Sequence, residues 1–161
     1  HMTWNDQQLN SNEGMFLELA GAYARYHCPC SRTLFLGSPP QQYLDIEKVI
    51  SECIENAISM FKPGNTCAEI SDNFMATLKK YGYEKNNRCG YPIGLSYPPD
   101  WGERTMSLRG TDQTILQENM TFHFMPAIWF DDWGFEMTES IRVRKNGGEC
   151  LSKVPRQLLV K

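Results

Sequence analysis

No long apolar run, no excess of positive charge and no paired cysteine spacing mark this 161-residue sequence, and each absence removes a class of function. No stretch approaches the roughly 20 consecutive apolar residues that a membrane span requires, and no charged-then-apolar leader opens the chain. A cytoplasmic protein without a membrane partner is therefore expected. A net charge of −3 and only short basic runs, such as Arg142-Val143-Arg144-Lys145, leave no stripe that could neutralise phosphates, so a nucleic-acid partner is not expected. The six cysteines (Cys28, Cys30, Cys53, Cys67, Cys89, Cys150) lack the paired spacing of a zinc site, and a chain of this size needs no disulfide framework. They read as reduced thiols, several of them buried. Repeats and low-complexity segments are absent as well.

What is present is enough apolar material, 41% of residues, to build a core. Met15 to Ala24 and Tyr26 to Leu36 are strand-like, and Gly37-Ser38-Pro39-Pro40 closes them with turn chemistry. From Gln41 to Phe61 the apolar positions Ile46, Val49, Ile50, Cys53, Ile54, Ala57, Ile58 and Phe61 fall on one helical face. Lys62-Pro63-Gly64-Asn65 ends that helix. Thr66 with Glu69 forms a capping box for a second helix reaching about Tyr81, with Gly82 as its left-handed stop. Strand-like segments follow at Met120 to Phe130, Phe135 to Val143 and Glu149 to Leu151, the last two joined by the hairpin signal Asn146-Gly147. The order predicts an α+β layout, with two main helices on one face of a curved antiparallel sheet.

The long loop from Arg88 to Thr105 is the first place to look for chemistry, because such loops inside a compact domain usually carry function. Tyr91, Tyr97 and Trp101 offer π-faces to a small cation, and Asp100, Glu103 and Arg104 offer charges to the two ends of a zwitterion. Packing of those aromatics onto the sheet is the competing reading. Strand alternation groups His27 with Pro29 and Ser31, His123 with Met125, and Met137 with Glu139 and Ile141. Glu18 and Glu139, set among apolar neighbours, need a cation or point to solvent.

These segments occur in the order and spacing of the pita-bread family, which includes methionine aminopeptidase, aminopeptidase P, prolidase and creatinase. Glu18 to Phe35 resembles the family's strand pair, with Glu18 and Pro29 at its two metal-binding aspartates. Lys62-Pro63-Gly64-Asn65-Thr66 resembles its helix link, and Gly90-Tyr91-Pro92-Ile93-Gly94 its Gly-His-Gly-Ile-Gly, with tyrosine for the metal-binding histidine. Met125-Pro126 takes the place of Glu-Pro, and Glu139 that of the final metal-binding glutamate. The resemblance thus implies a metal-free site with no cofactor and no peptidase chemistry.

Within the family, the wording from Gly90 to Arg109, with Met-Thr-Phe-His-Phe-Met, Glu-Met-Thr-Glu-Ser-Ile and Val-Pro-Arg, is similar to ectoine hydrolases. That resemblance implies opening of a cyclic amidine ring to N-acetyl-diaminobutyrate, a small zwitterionic ligand and a homodimer. It implies Glu18, His27 and Glu139 as catalytic candidates. Tyr91, Tyr97, Trp101, Glu103, Arg104 and His123 are the substrate-binding candidates, with His27 and His123 also able to carry protons. The family's base histidine lies in a segment written much like His-Leu-Thr-Trp, which His1-Met2-Thr3-Trp4 matches, whether His1 is native or left by cloning. Residues 1–161 are expected to form one N-terminally incomplete catalytic domain. A non-catalytic relic that binds a ligand or only dimerises, and a dipeptidase- or creatinase-like hydrolase, are the alternatives.

Overall fold

The computed structural model describes residues 6–97 and 100–161, so His1, the match to the family's base histidine, lies outside the described residues. Two long antiparallel strands, β1 (Glu13–Tyr23) and β2 (Tyr26–Leu36), come first. They turn through Ala24 and Arg25, both at positive φ. Glu18 pairs with Ser31 and Ala22 with His27, so Glu18, His27, Pro29 and Ser31 share one face. On that face His27, Pro29, Ser31, Thr33 and Phe35 are buried.

The two helices are α1 (Gln41–Met60) and α2 (Cys67–Lys80). Thr66 caps α2 as anticipated: its hydroxyl accepts from the Glu69 N–H, and the Glu69 carboxylate accepts from the Thr66 N–H at 2.7 Å. Gly82, at φ +80°, ends it.

The remaining chain forms β3 (Gly90–Pro92), β4 (Thr121–Phe124), β5 (Ala127–Trp129), β6 (Gly134–Glu136), β7 (Glu139–Arg144), β8 (Gly147–Cys150) and β9 (Leu159–Val160). Sheet orders are β1-β2-β9, β3-β4-β7-β8 and β5-β6. The expected run from Met120 to Phe130 is broken at Met125-Pro126, and that from Phe135 to Val143 at Met137-Thr138. Proline supplies no ladder N–H, which accounts for the first break.

Phe122 and Phe124 of β4 project toward the helices and meet Phe61 at 5.7 and 5.8 Å, and Phe124 also meets Phe74 at 5.8 Å. Ile46, Ile50, Cys53 and Ile54 of α1 complete this core. With one sheet face committed to the helices, Tyr91 and His123, which are register partners across β3 and β4, project together from the other face.

Candidate active site

A cavity of about 770 Å³ lies on that second face. Its lining includes Glu18 from β1, Tyr91 from β3, Met125 after β4, Glu136 from β6, then Lys85, Asn87 and Arg88, and residues 100–104. At its wall the Trp101 indole N–H donates to the Tyr91 hydroxyl at 2.9 Å, and that hydroxyl lies 2.9 Å from His123 Nδ1. His123 Nε2 continues the chain to the Thr138 hydroxyl at 2.7 Å, which also accepts from the Ser31 N–H at 2.8 Å. Four side chains, two from strands β3 and β4 and two from the segments at Trp101 and Thr138, are thus locked in one line, and its end, the indole, borders the cavity.

His123 is fully buried, and burial pushes its pKa down to about 3. It is therefore a neutral ring at physiological pH. Its 4.0 Å approach to Glu18 Oε1 is a dipolar contact rather than an ion pair. Burial likewise raises the Tyr91 phenol to about 12, so it stays protonated.

Three carboxyls, those of Glu18, Glu136 and Glu139, each leave one buried oxygen without a hydrogen-bond partner among the described residues, and the first two line the cavity. In those two the buried atom is Oε1. Burial raises the pKa of Glu18. Burial first, and then the charge of Glu18, push Glu136 up to about 7, against the opposing pull of Ser31 and Lys85. An unpartnered buried carboxyl costs free energy that a bound cation would recover.

Glu136 was not among the residues singled out from sequence. Glu139 was, and it lies elsewhere: the register sets Phe124 opposite Glu139 and His123 opposite Ser140, which turns Glu139 away from the face that carries His123. Its Oε1 accepts from the Arg32 guanidinium at 2.5 Å, with both side chains buried. Arg32 also donates to the carbonyls of Ser31, Thr138, Val154 and Pro155, which ties the C-terminal segment to β2.

The other candidates divide. Glu103 and Arg104 line the cavity with Trp101 and Tyr91. Arg104 is bonded to Asp100 at 3.1 Å and points largely into solvent. Tyr97 lies outside the lining: its hydroxyl accepts from Arg25, whose guanidinium sits 4.9 Å from the ring centroid. His27 is buried next to the same hairpin turn and donates from Nδ1 to the Arg25 carbonyl at 2.9 Å, outside the lining.

Metal binding can be tested on the donor set. Of the positions that resemblance makes metal ligands, Pro29 has no side-chain donor, Tyr91 is a protonated phenol already bonded to Trp101 and His123, Met125 offers a thioether, and Glu139 is paired with Arg32. Among the described residues no group of three or more His, Cys, Asp or Glu side chains is placed to hold an ion. This set does not fit a hard divalent ion, which requires several carboxylate or imidazole ligands.

Comparison with known proteins agrees with this architecture. Over its full length the chain is 54% identical to ectoine hydrolase from Halomonas elongata, spanning 41% of that protein. It is 26% identical to the Xaa-Pro dipeptidase of Pyrococcus horikoshii, with 99% of this chain matched to 45% of that one. The fold superposes on X-Pro aminopeptidase from Thermotoga maritima with a TM-score of 0.89 at 21% identity, covering all of this chain and 45% of the other. The α+β pita-bread layout is therefore the one observed, and the chain spans less than half the length of these relatives. Residues 1–145 match metallopeptidase family M24, the family to which this chain belongs.

Proposed function

We propose that this chain supplies the catalytic wall of a metal-independent hydrolase that opens the ring of ectoine, or a close cyclic amidine, to N-acetyl-diaminobutyrate. The observation that carries the reading is a pair of carboxyls, Glu18 and Glu136, each with one buried oxygen unpartnered among the described residues, lining a cavity bordered by Trp101 and Tyr91. An amidinium would find its counter-charge in Glu18 and a π-face in Trp101, a contact worth about 2 kcal/mol when desolvated. The 54% identity to a protein named ectoine hydrolase supports the choice of ligand.

The chemistry follows from these groups. Water adds to the amidine carbon as the Glu18 carboxylate, whose Oε1 has no hydrogen-bond partner among the described residues, takes the proton from the attacking water. The tetrahedral adduct then collapses: one ring C–N bond breaks, the carbon becomes an amide carbonyl, and the departing nitrogen takes a proton. Glu136, with a pKa of about 7, is able to give that proton and to regain one from Glu18. His123, neutral and fully hydrogen-bonded, holds Tyr91 and Trp101 in place rather than carrying protons.

A dipeptidase-like reading would need a metal-bound hydroxide, for which the donor set described above is unsuited. A ligand-binding relic would use the same cavity without turnover. Proton NMR of ectoine incubated with metal-free protein separates these cases. A new acetyl-amide methyl signal is expected; broadened ectoine lines without product would favour the relic, and a strict need for added manganese would favour the dipeptidase-like reading.

A further inference from the structure

Among the described residues three cations border the cavity, and two of them are already committed. Lys85 donates to the Ala127 carbonyl at 2.9 Å and reaches that of Met125 at 3.4 Å. Arg104 is held by Asp100. Arg88 is the third. Its guanidinium lies 4.6 Å from the centroid of the Tyr91 ring, and among the described residues no carboxylate comes within ion-pair distance of it.

Tyr91 is itself rigidly placed. Its hydroxyl is bonded to Trp101 and His123, and a Cβ added at Gly102 would come within 3.0 Å of its ring. A guanidinium seated on a fixed aromatic face keeps its N–H donors at its rim, where a carboxylate can accept two of them at once. Charge is thus divided within one cavity, with Glu18 and Glu136 supplying the negative side and Arg88 an uncommitted positive one.

We propose that Arg88 grips the carboxylate of the ligand and makes the site select compact zwitterions over simple amidinium cations. The inference rests on the ring-opening reading and adds a specificity residue to it. It also moves the carboxylate contact from Arg104, the candidate suggested by sequence, to Arg88.

The test measures the affinity of the whole chain for ectoine and for its analogue lacking the carboxylate, by NMR titration, in the wild type, Arg88→Gln and Arg88→Lys. The wild type is expected to prefer ectoine by about tenfold or more, the scale of a charge-assisted hydrogen-bond pair. Arg88→Gln should lose that preference yet bind the analogue as the wild type does, which also reports an intact fold. Arg88→Lys should keep part of it. An undiminished preference in Arg88→Gln would overturn the role of Arg88 while leaving the ring-opening reading standing. Failure of the wild type to bind either molecule would instead sink the ring-opening reading, and this inference with it.

Discussion

Glu136 and Glu139, three residues apart, are both buried, but of the two only Glu139 is held in an ion pair, with Arg32. The carboxyl of Glu136 holds its proton up to about pH 7, whereas in the unfolded chain it ionises near 4.5. Ionisation therefore favours the unfolded state, and this group's contribution to stability falls as pH rises from about 4.5 to 7, by something on the order of 3 kcal/mol. His123 acts in the other direction. Buried as a neutral ring with its pKa down at about 3, it favours unfolding as pH falls from 6.5 toward 3. Urea melts of the wild type and Glu136→Gln across this range isolate the first effect: the variant should be the more stable at pH 8 and should lose its advantage below pH 4.5. A parallel pair of curves would contradict the burial of this carboxyl. Glu139 holds Arg32 instead, and removing one partner of a buried ion pair costs about 3 to 5 kcal/mol. Glu139→Ala should accordingly show its main effect in thermal unfolding, and an unchanged melting temperature would refute that structural role.

At the scale of elements, legibility followed the range of the signal. Helix α1 was readable from its apolar period and α2 from the Thr66 and Glu69 box, because both signals are local. Strand register is not local. The face on which Glu139 projects depends on which β7 residue pairs with His123, and shifting the pairing by one residue reverses every side chain. That is why Glu139 was grouped with the site and Glu136, just before the break at Met137-Thr138, was missed. The three-residue β3 and two-residue β9 were unreadable for a similar reason, since partners distant in sequence create them. The pairing of β3 with β4 nevertheless builds the site. At Gly90 an added Cβ would lie 2.5 Å from the His123 carbonyl oxygen and 2.6 Å from Leu108 Cδ1. Gly90→Ala should therefore push β3 off β4, costing roughly 1 to 3 kcal/mol of stability in denaturant melts, and should weaken ligand binding by displacing Tyr91. Wild-type stability in that variant would show that the contact is loose.

For the whole molecule, the loop read as the first place to look for chemistry borders the cavity through Trp101, Glu103 and Arg104, while its Tyr97 is tethered outward to Arg25. The sheet is divided in labour: one face is given to the helices through Phe122 and Phe124, and the other to the cavity through Tyr91, with His123 bonded behind it. On that second face, positions that would carry metal ligands in a metallopeptidase hold a phenol and a thioether, leaving Glu18 and Glu136 to face whatever enters. Titration of ectoine into chelator-treated protein, followed by calorimetry alongside Glu18→Gln, tests the proposal that an organic cation is held here without a metal. Saturable binding that is indifferent to chelator and at least tenfold weaker in Glu18→Gln is the expected result; binding that appears only when a divalent metal is restored would contradict it.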